Sequence, residues 1–528
     1  MHGNRTSTQA LVIGSGIAGA SCALTIAAQG HEVVLLNAGP DLGDGNTASA
    51  QGGIVTCGTD DTPAKLSRDI KKAGWNHNHT PAVNHLARNG PGAVQELLID
   101  RLGVPFATTP DGSGFDMTRE GGHSAYRVLY CGDYTGKAIM DSLRQAVIDD
   151  PNIRIETDRT AVDLITSHHH TNKLSFRYNR TNQCLGAYVF NNVTGAVETM
   201  LADYTVLATG GLGRIFLHST NTECSVGGAL AMTHRAGVKI MNAEFMQFHP
   251  TTLYHRSKRR FLITEAMRGE GAHLVDSKGN RFMERYDRRM ELAPRDIVSR
   301  AIVDTLHRSG EECVFLDCRP VDHDLPERFP TIHAHCMDLG IDIRRDPIPV
   351  VPAAHYHCGG VYADLNGRTS LERLFAIGEC SCTGVHGANR LASTSLLEGV
   401  LWGRNSGNFI GSQLTRKHPA NTRLKDSIPD WEYPGQVHNE DPALIAQDWM
   451  NIRSTMWNYA GINRTEQRLA RACEDLRGLI RDLTHFYKKT PLSKSLIDLY
   501  HGCFAAYIVA MSAQCNSQSI GCHALRND

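Results

Sequence analysis

Residues 10–37 read ALVIGSGIAGASCALTIAAQGHEVVLLN, and this stretch decides the fold. Residues 10–13 are an apolar run long enough for a buried parallel strand. Glycines with G-x-G-x-x-G spacing follow, at Gly14, Gly16 and Gly19. This spacing permits a tight turn, lets backbone approach a pyrophosphate and lets the next helix pack on the strand. Residues 21–29 predict that helix, whose first N–H groups would face the phosphate, and residues 32–36 predict a second strand. The order of these elements is typical of a dinucleotide-binding unit.

Two features of this stretch also permit interpretations other than dinucleotide binding. Asn37 stands where the fingerprint has an acidic residue for the ribose, and a glycine-rich turn in another kind of α/β domain is the simpler alternative. Residues 10–28 carry no charge, which is also typical of a membrane span. The three glycines and the strand–turn–helix order argue against a span.

The composition excludes several functional classes. A chain of 528 residues is expected to hold several domains and a large core. Its net charge of −1 provides no electrostatic attraction for nucleic acid or an anionic membrane. The first nine residues lack a signal-peptide pattern. Fifteen cysteines without C-x-x-C pairs suit reduced thiols. We therefore expect a soluble cytoplasmic protein with no nucleic-acid or membrane partner.

Two side-chain clusters have structural as well as functional interpretations. Cys380 and Cys382 form a close pair, for which packing is favoured over a redox role. His168 to His170 could contact a metal, but a solvated run in a polar loop is the favoured interpretation. The sequence therefore predicts no metal site.

Several glycine-rich segments lie between the predicted strands. Residues 38–56 are rich in small residues, which suggests that backbone approaches a ligand again. Residues 117–124 (MTREGGHS) contain Glu120 and His123, each of which could equally be a solvated loop side chain. The alternation from residue 173 to 206 (LSFRYN, CLGAYVFNN, AVETM, YTVLAT) predicts a β-meander that ends in LATGG. A strand that runs into such a turn is typical of two-dinucleotide flavoprotein folds.

The segment 243–352 interrupts the α/β rhythm and collects polar residues at His249, Thr264, Glu265, Arg268 and Arg295. Pro294 suits the first turn of a helix, which would place Arg295 at the positive end of that helix. A cation is unfavourable there, so this position suggests a function. Farther along, His355 lies in a strand-like segment, and a helix is predicted to begin near Ser395, where its N–H groups could face an anionic ring.

Ten ordered motifs resemble the L-aspartate oxidase family, within the succinate dehydrogenase and fumarate reductase flavoprotein superfamily. They are GSGIAG, SAQGGI, TREGGHS, LATGG, EFMQFHPT, TEAMRGEG, LAPRDIV, PAAHYHCGGV, AIGE and GANRLASTSLLE. Relatives that tether the flavin covalently have a histidine where this chain has Asn46, so noncovalent FAD is expected. In this family the glutamate of the T-R-E-G-G-H loop faces the substrate ammonium, and here it is Glu120.

The resemblance implies an α/β fold: a Rossmann-like FAD-binding domain with an inserted α+β capping domain and a C-terminal three-helix bundle. The implied boundaries are 1–241 and 354–415 for the FAD-binding domain and 242–353 for the capping domain. A proline-containing linker would cover 416–442. The C-terminal domain, 443–528, would hold helices at 443–459, 465–486 and 495–514, with no chemistry of their own.

The resemblance also implies the substrate contacts. Arg390 and His355 would hold the α-carboxylate; the side-chain carboxylate would be held by His249, Thr264 and Glu265. A dicarboxylate in a dry site needs cationic and N–H donors at both ends, and the arginine fork matches a carboxylate. Arg295 would exchange the proton. Because arginine is a poor base at its ordinary pKa above ~12, donation in the fumarate-reducing direction suits it better.

For FAD, the resemblance implies contacts from the glycine turn, the 46–53 segment and five later positions. These residues are Gly14, Ser15, Gly16, Ile17, Ala18, Gly19, Asn46, Thr47, Ala48, Ser49, Ala50, Gln51, Gly52, Gly53, Ala161, Val162, Glu379, Ser395 and Leu396. Ala161 and Val162 would contact the adenine through backbone, Glu379 would meet the ribityl region, and Ser395 and Leu396 the flavin carbonyls.

Three departures from the family pattern lead to further expectations. Gly228 replaces an aspartate and Ala38 a lysine, which predicts weakened FAD binding, and the C-terminal motif is reduced to NSQSIG. The resemblance implies that the protein oxidises L-aspartate to iminosuccinate, with O2 or fumarate as electron acceptor. This reaction would belong to NAD synthesis, and the product would be handed over to quinolinate synthase. The alternatives are a soluble fumarate reductase and a flavin-poor binding or scaffold subunit.

Overall fold

A computed structural model describes residues 5–178, 181–255, 261–322, 324–416, 420, 422–433 and 442–526. Its central element is a seven-stranded sheet in which Arg5–Ile13 pairs in parallel with Val33–Leu36 and with Val197–Leu207. Six strands follow one another across the sheet, in the order Ile153–Glu156, Val33–Leu36, Arg5–Ile13, Val197–Leu207, Cys184–Asn191 and Arg159–Thr166. Leu374–Ala376 pairs with the carboxyl half of Val197–Leu207. The predicted strand–turn–helix–strand unit is confirmed, with its helix at Ile17–Ala27.

The helix Ile17–Ala27 packs against the long helix Thr394–Thr415 through a stripe of glycines. A Cβ on any of these glycines would lie within about 3.0 Å of Ile17–Ala27 or of Gln29, just beyond its end; they are Gly399, Gly403, Gly407 and Gly411. A spacing of four residues keeps the glycines on one face, so the two helix backbones approach closely. This contact sets the start of the long helix beside the glycine turn.

The predicted β-meander is partly wrong. LSFRYN contains the helix Leu174–Arg177, while AVETM and YTVLAT form one continuous strand, Val197–Leu207. Six residues are too few to separate a period of 2 from one of 3.6, and Leu174 is exposed, so no buried face specifies a strand there. Residues 153–166 form two strands, Ile153–Glu156 and Arg159–Thr166, which lie at opposite ends of the sheet. His168 to His170 lie in the short helix Ser167–His170, not in a loop.

A second, five-stranded sheet covers the carboxyl ends of the central strands. Its order is Phe261–Leu262, Met246–Leu253, Ile348–His357, Val314–Asp317 and His273–Val275. The helix Arg295–Ser309 packs on Met246–Leu253, whose eight residues are all buried. The strand Ile348–His357 runs across the boundary predicted at 353/354, and the domain boundaries stay a prediction.

The remaining elements connect these layers. Two three-stranded sheets contain Ile54–Val55, Val128–Leu129 and Met117–Thr118, and Ile240–Met241, Gly360–Tyr362 and Ser381–Cys382. The other α-helices are Pro63–Ala73, Thr80–Val94, Thr135–Asp149, Gly228–Arg235, Glu265–Gly269, Leu325–Arg328, Pro330–Met337 and Thr422–Lys425. Gln95–Arg101 is a π-helix, and the 3-10 helices are Gly213–Ile215, Met283–Arg285, Met290–Leu292 and Gly378–Cys380.

Three helices close the chain, as predicted: Pro442–Tyr459, Glu466–Tyr487 and Lys494–Cys515. Much of the predicted linker, including Pro419 and residues 434–441, lies outside the described residues. Within the described part, Lys494–Cys515 has the length and apolar composition of a membrane span, but most of it is buried inside the fold. Such burial is typical of a core helix.

Candidate active site

A cavity of about 630 Å³ lies where the two large sheets meet. Four residues at or just after the carboxyl ends of adjacent parallel strands line it: Ile13, Leu36, Ala208 and Ile377. Ligands of open α/β sheets bind at this edge, and the volume is in the usual range for ligand sites. The cavity therefore coincides with the dinucleotide site expected from the sequence.

The glycine turn forms the floor of the cavity. Gly14 has a φ of +111°, and a Cβ there would overlap the carbonyl oxygen of Ala208. Gly16 precedes the helix Ile17–Ala27, and the N–H of Ile17 donates to Thr47 Oγ1 at 3.2 Å. Gly19 packs against the carbonyl of Gly14 and does not line the cavity. It thus serves the helix packing expected of the third glycine.

All eight residues from Asn46 to Gly53 line the cavity. Asn46 joins this loop to a second one, since its Oδ1 accepts from the Thr222 N–H at 2.8 Å and its Nδ2 donates to Ser225 Oγ at 3.0 Å. The side-chain oxygen of Gln51 is buried and has no hydrogen-bond partner among the described residues. A buried acceptor without a donor is costly in a folded protein. A flavin, which carries a ring N–H, fits this part of the cavity.

Glu379, Ser395 and Leu396 line the cavity above this loop. Glu379 accepts the N–H of His357 at 3.0 Å, and burial raises the pKa of its carboxyl to about 7. Ser395 stands in the first turn of Thr394–Thr415, where N–H groups face a ligand. Ala161 also lines the cavity, but Val162 does not, because its carbonyl accepts from Arg235 and lies 3.1 Å from His501 Nε2.

Two arginine side chains donate to the same amide oxygen in the part of the cavity nearest the second sheet. Arg295 Nη1 and Arg390 Nη2 donate to the Oε1 of Gln247, at 3.1 and 3.2 Å. Gln247 Nε2 donates to the carbonyl of Arg390 at 2.8 Å. Arg390 also donates to Ser395 Oγ at 3.0 Å. The amide thereby holds both guanidinium groups in place.

The helix Arg295–Ser309 begins at Arg295, as predicted, and a carboxylate offsets the unfavourable position of this cation. Arg295 Nε donates to Glu265 Oε2 at 2.6 Å, and Arg268 lies 3.7 Å from the same oxygen. Burial alone would raise the pKa of Glu265, but the charges of both arginines outweigh it and lower that pKa. Glu265 is therefore anionic. Thr264 caps the short helix Glu265–Gly269 and lines the cavity.

His249 and His355 lie side by side on the two central strands of the second sheet, with ring centroids 5.1 Å apart. Burial and the charge of Arg295 lower the pKa of both rings well below 6.5. Nδ1 of His249 lies 3.0 Å from the Thr251 carbonyl, and Nδ1 of His355 lies 3.0 Å from Thr220 Oγ1. Both rings are neutral at pH 7. Nδ1 of His249 also lies 3.3 Å from the Thr251 N–H, and in the tautomer that accepts this N–H the proton is on Nε2, which can donate it without adding charge.

Glu120 is buried in the same cavity, next to the 46–53 loop. Its Oε2 accepts from Ser393 Oγ at 2.6 Å, and its Oε1 lies 2.9 Å from where a Cβ on Gly52 would be. Burial raises the pKa of its carboxyl. His123 has a structural role, since its Nε2 lies 3.0 Å from the Ala392 carbonyl and ties the Glu120 loop to the long helix. A solvated loop position for Glu120 is wrong.

Comparison with known proteins identifies the family. Residues 9–396 match the family model described as an FAD binding domain. The chain is 41% identical over 522 residues to an L-aspartate oxidase of Pseudomonas aeruginosa, covering 97% of this chain and 94% of that protein. An L-aspartate oxidase of Halobacterium salinarum is 40% identical over 524 residues, with coverages of 98% and 96%.

The chain belongs to the L-aspartate oxidase family.

Solved structures agree with this membership. FrdA of E. coli quinol fumarate reductase has a TM-score of 0.87 and 26% identity, covering 99% of this chain and 92% of that one. Sdh1 of Mycobacterium smegmatis has a TM-score of 0.81 and 27% identity, with coverages of 99% and 89%. The family, the flavoprotein fold and FAD as cofactor are confirmed for this L-aspartate oxidase family member.

Sequence reasoning missed two parts of this L-aspartate oxidase site. Gln247 lies within the quoted EFMQFHPT motif, and its alternation with His249 along one strand could have drawn attention to it. The terminal helix also lines the cavity, through Lys494, Asp498 and His501. The terminal bundle, for which no chemistry of its own was expected, therefore contributes to the cavity wall. Within the described residues, no group of three or more His, Cys, Asp or Glu side chains could hold a metal.

Proposed function

We propose that this chain oxidises L-aspartate to iminosuccinate with noncovalent FAD, and that O2 or fumarate takes the electrons. Family membership over nearly the whole chain supports this proposal. One observation carries it in the site: a buried carboxylate, Glu120, shares a cavity with the guanidinium groups of Arg295 and Arg390. This charge pattern is complementary to an amino dicarboxylate.

The two substrate carboxylates would bind to the donors around Gln247. Arg390, with His355, takes the α-carboxylate, and His249 and Thr264 take the side-chain carboxylate. Neutral imidazoles can hydrogen-bond a carboxylate without the desolvation cost of two further buried cations. Glu265 is anionic and would repel a substrate carboxylate, so we assign it to holding Arg295.

The substrate ammonium would pair with Glu120. The carboxylate lies beside Gly52 of the loop assigned to the flavin, so this pairing would turn the Cα–H toward the cofactor. FAD supplies a hydride acceptor when bound. Loss of a hydride from Cα leaves a protonated imine only when the ammonium also gives up one proton, and the Glu120 carboxylate beside it, whose pKa is raised by burial, would accept that proton. Arg295 is then an electrostatic partner in oxidation and the proton donor to carbon when fumarate is reduced.

Asn46 supports noncovalent attachment. Its amide is engaged by Thr222 and Ser225, and an amide is not a nucleophile toward the flavin. We further propose that the product enters NAD synthesis through quinolinate synthase, and that the enzyme works in the cytoplasm.

Anaerobic reduction tests the proposal. L-aspartate added to the purified protein without oxygen should bleach the flavin absorbance, and succinate should do so far more slowly. Bleaching by succinate alone would indicate the fumarate reductase alternative. Protein that purifies without flavin absorbance and does not take up added FAD would indicate the scaffold alternative.

A further inference from the structure

One face of the terminal helix forms part of the cavity wall. Lys494, Asp498 and His501 follow a spacing of four and then three residues along Lys494–Cys515, which places them on the same side of that helix. All three line the cavity. The helix is separated from the glycine turn by more than 450 residues in sequence, so only the tertiary fold brings the two together.

This face lies beside the two residues that are expected to contact the adenine, Ala161 and Val162. His501 Nε2 lies 3.1 Å from the carbonyl of Val162, next to Ala161. Its Nδ1 lies 2.8 Å from where a Cβ on Gly228 would be, so the imidazole fills the space of a side chain at that position. Lys494 and Asp498 act electrostatically on the thiol of Cys224, another cavity residue, whose pKa burial raises.

The residue at the place that usually recognises the adenosine ribose is largely engaged within the protein. Asn37 occupies that place at the end of the second strand. Its Nδ2 donates to the carbonyls of Gly39 and Asp41, at 2.9 and 2.7 Å, and its Oδ1 accepts from Ser15 Oγ at 2.8 Å. Both amide N–H groups and one of the two acceptor positions of Asn37 are therefore used within the protein, and two ribose hydroxyls need an acceptor besides the one position that remains.

Asp498 is the carboxylate on this face of the terminal helix. Its Oδ2 is paired with Lys494 Nζ at 2.5 Å, and its side chain retains 18% of its exposure. A carboxylate has two oxygens and about four acceptor positions, so the ion pair leaves capacity for further donors. Lys494 has two further N–H donors for a phosphate oxygen.

We propose that the terminal helix recognises the adenosine half of FAD, with Asp498 accepting from the ribose hydroxyls and Lys494 beside it as the cation for the pyrophosphate. The inference rests on FAD as the cofactor. It makes the C-terminal domain part of the cofactor site, and it explains why a chain with glycine at position 228 and alanine at position 38 can hold FAD.

The test compares ligand binding by the flavin-free protein. Asp498→Asn and Lys494→Met are titrated with FAD, followed by flavin fluorescence, and with ADP, followed by competition against FAD. ADP contains the adenosine and pyrophosphate but no flavin. Asp475→Asn and Lys489→Met, which alter exposed residues of the same domain outside the cavity, are the matched controls.

We expect Asp498→Asn to weaken FAD and ADP by the same factor, roughly 10- to 100-fold, since a hydrogen bond to a charged group is lost. Lys494→Met should weaken both ligands, and the controls neither. Loss of FAD affinity without loss of ADP affinity, or no loss of either, would overturn the inference. So would weaker binding accompanied by a lowered melting temperature of the flavin-free variants, because the helix would then only stabilise the fold. Failure of the wild type to bind FAD would instead contradict the cofactor assignment.

Discussion

Replacing Glu120 with glutamine tests the choice of substrate most directly. The exchange preserves the shape of the side chain and an oxygen that can accept from Ser393 Oγ, now at 2.6 Å. It removes only the negative charge. If that charge faces the ammonium of L-aspartate, the amino acid should lose binding energy that fumarate never had.

The expected magnitude follows from the burial of the site. Removing one partner of a buried charge pair costs about 2–5 kcal/mol. Burial raises the pKa of Glu120, so part of the interaction energy with the ammonium is used to ionise the carboxyl. We therefore expect the lower half of that range, about 2–3 kcal/mol, which lowers kcat/KM for L-aspartate roughly 30- to 150-fold.

The assay measures aspartate oxidation and fumarate reduction on the same preparation. Fumarate reduction should be unchanged or faster, since a nearby negative charge is lost. The wild type should lose aspartate activity as pH falls through the raised pKa of Glu120, because the neutral carboxyl cannot pair with the ammonium. Glu120→Gln should lack this acid limb.

Arg119→Gln, which alters an exposed charge on the same loop, is the matched control and should behave as wild type. Equal losses of both activities in Glu120→Gln would refute the reasoning, because Glu120 would then hold the loop through Ser393. Two unchanged activities would refute it as well.

Three further predictions concern the cofactor and the arginines. Acid precipitation should release all flavin colour into the supernatant, because Asn46 cannot tether it; a yellow pellet would contradict this. Gln247→Leu leaves two buried guanidinium groups without their shared acceptor, so kcat/KM for L-aspartate should fall roughly 10- to 100-fold. Gln247→Glu keeps an acceptor and should retain more activity. Equal activity of Gln247→Leu and wild type would exclude a positioning role for Gln247. Gly228→Asp should weaken FAD binding, measured by fluorescence titration, because the new side chain displaces His501. Tighter binding would mean that the imidazole moves aside without cost.

The last of these predictions reverses an expectation from the sequence. Read alone, Gly228 and Ala38 are lost polar contacts, and restoring an aspartate should tighten FAD. The structure places His501 Nδ1 2.8 Å from the position of the missing Cβ. The His501 imidazole therefore fills the space left by the missing side chain at position 228. Neither segment of the sequence shows this when it is considered alone.

The sequence by itself determined the elements whose signals are local. The G-x-G-x-x-G turn, the helix that begins at Arg295 and the three terminal helices depend on glycine spacing, a proline and apolar periodicity within about twenty residues. The short LSFRYN segment lacked such a signal, and its predicted strand is a helix. The polar residues proposed to surround the substrate were identified through the family resemblance, which rests on local motifs that each carry their own side chain.

The tertiary structure alone decided what these side chains do to one another. It placed Gln247 between Arg295 and Arg390, paired Glu265 with Arg295, and brought Asp498 to the cavity wall. These contacts join segments separated by tens to hundreds of residues. They are set by sheet pairing and helix packing, and no local pattern of charge or hydrophobicity records which distant atom a buried donor will meet.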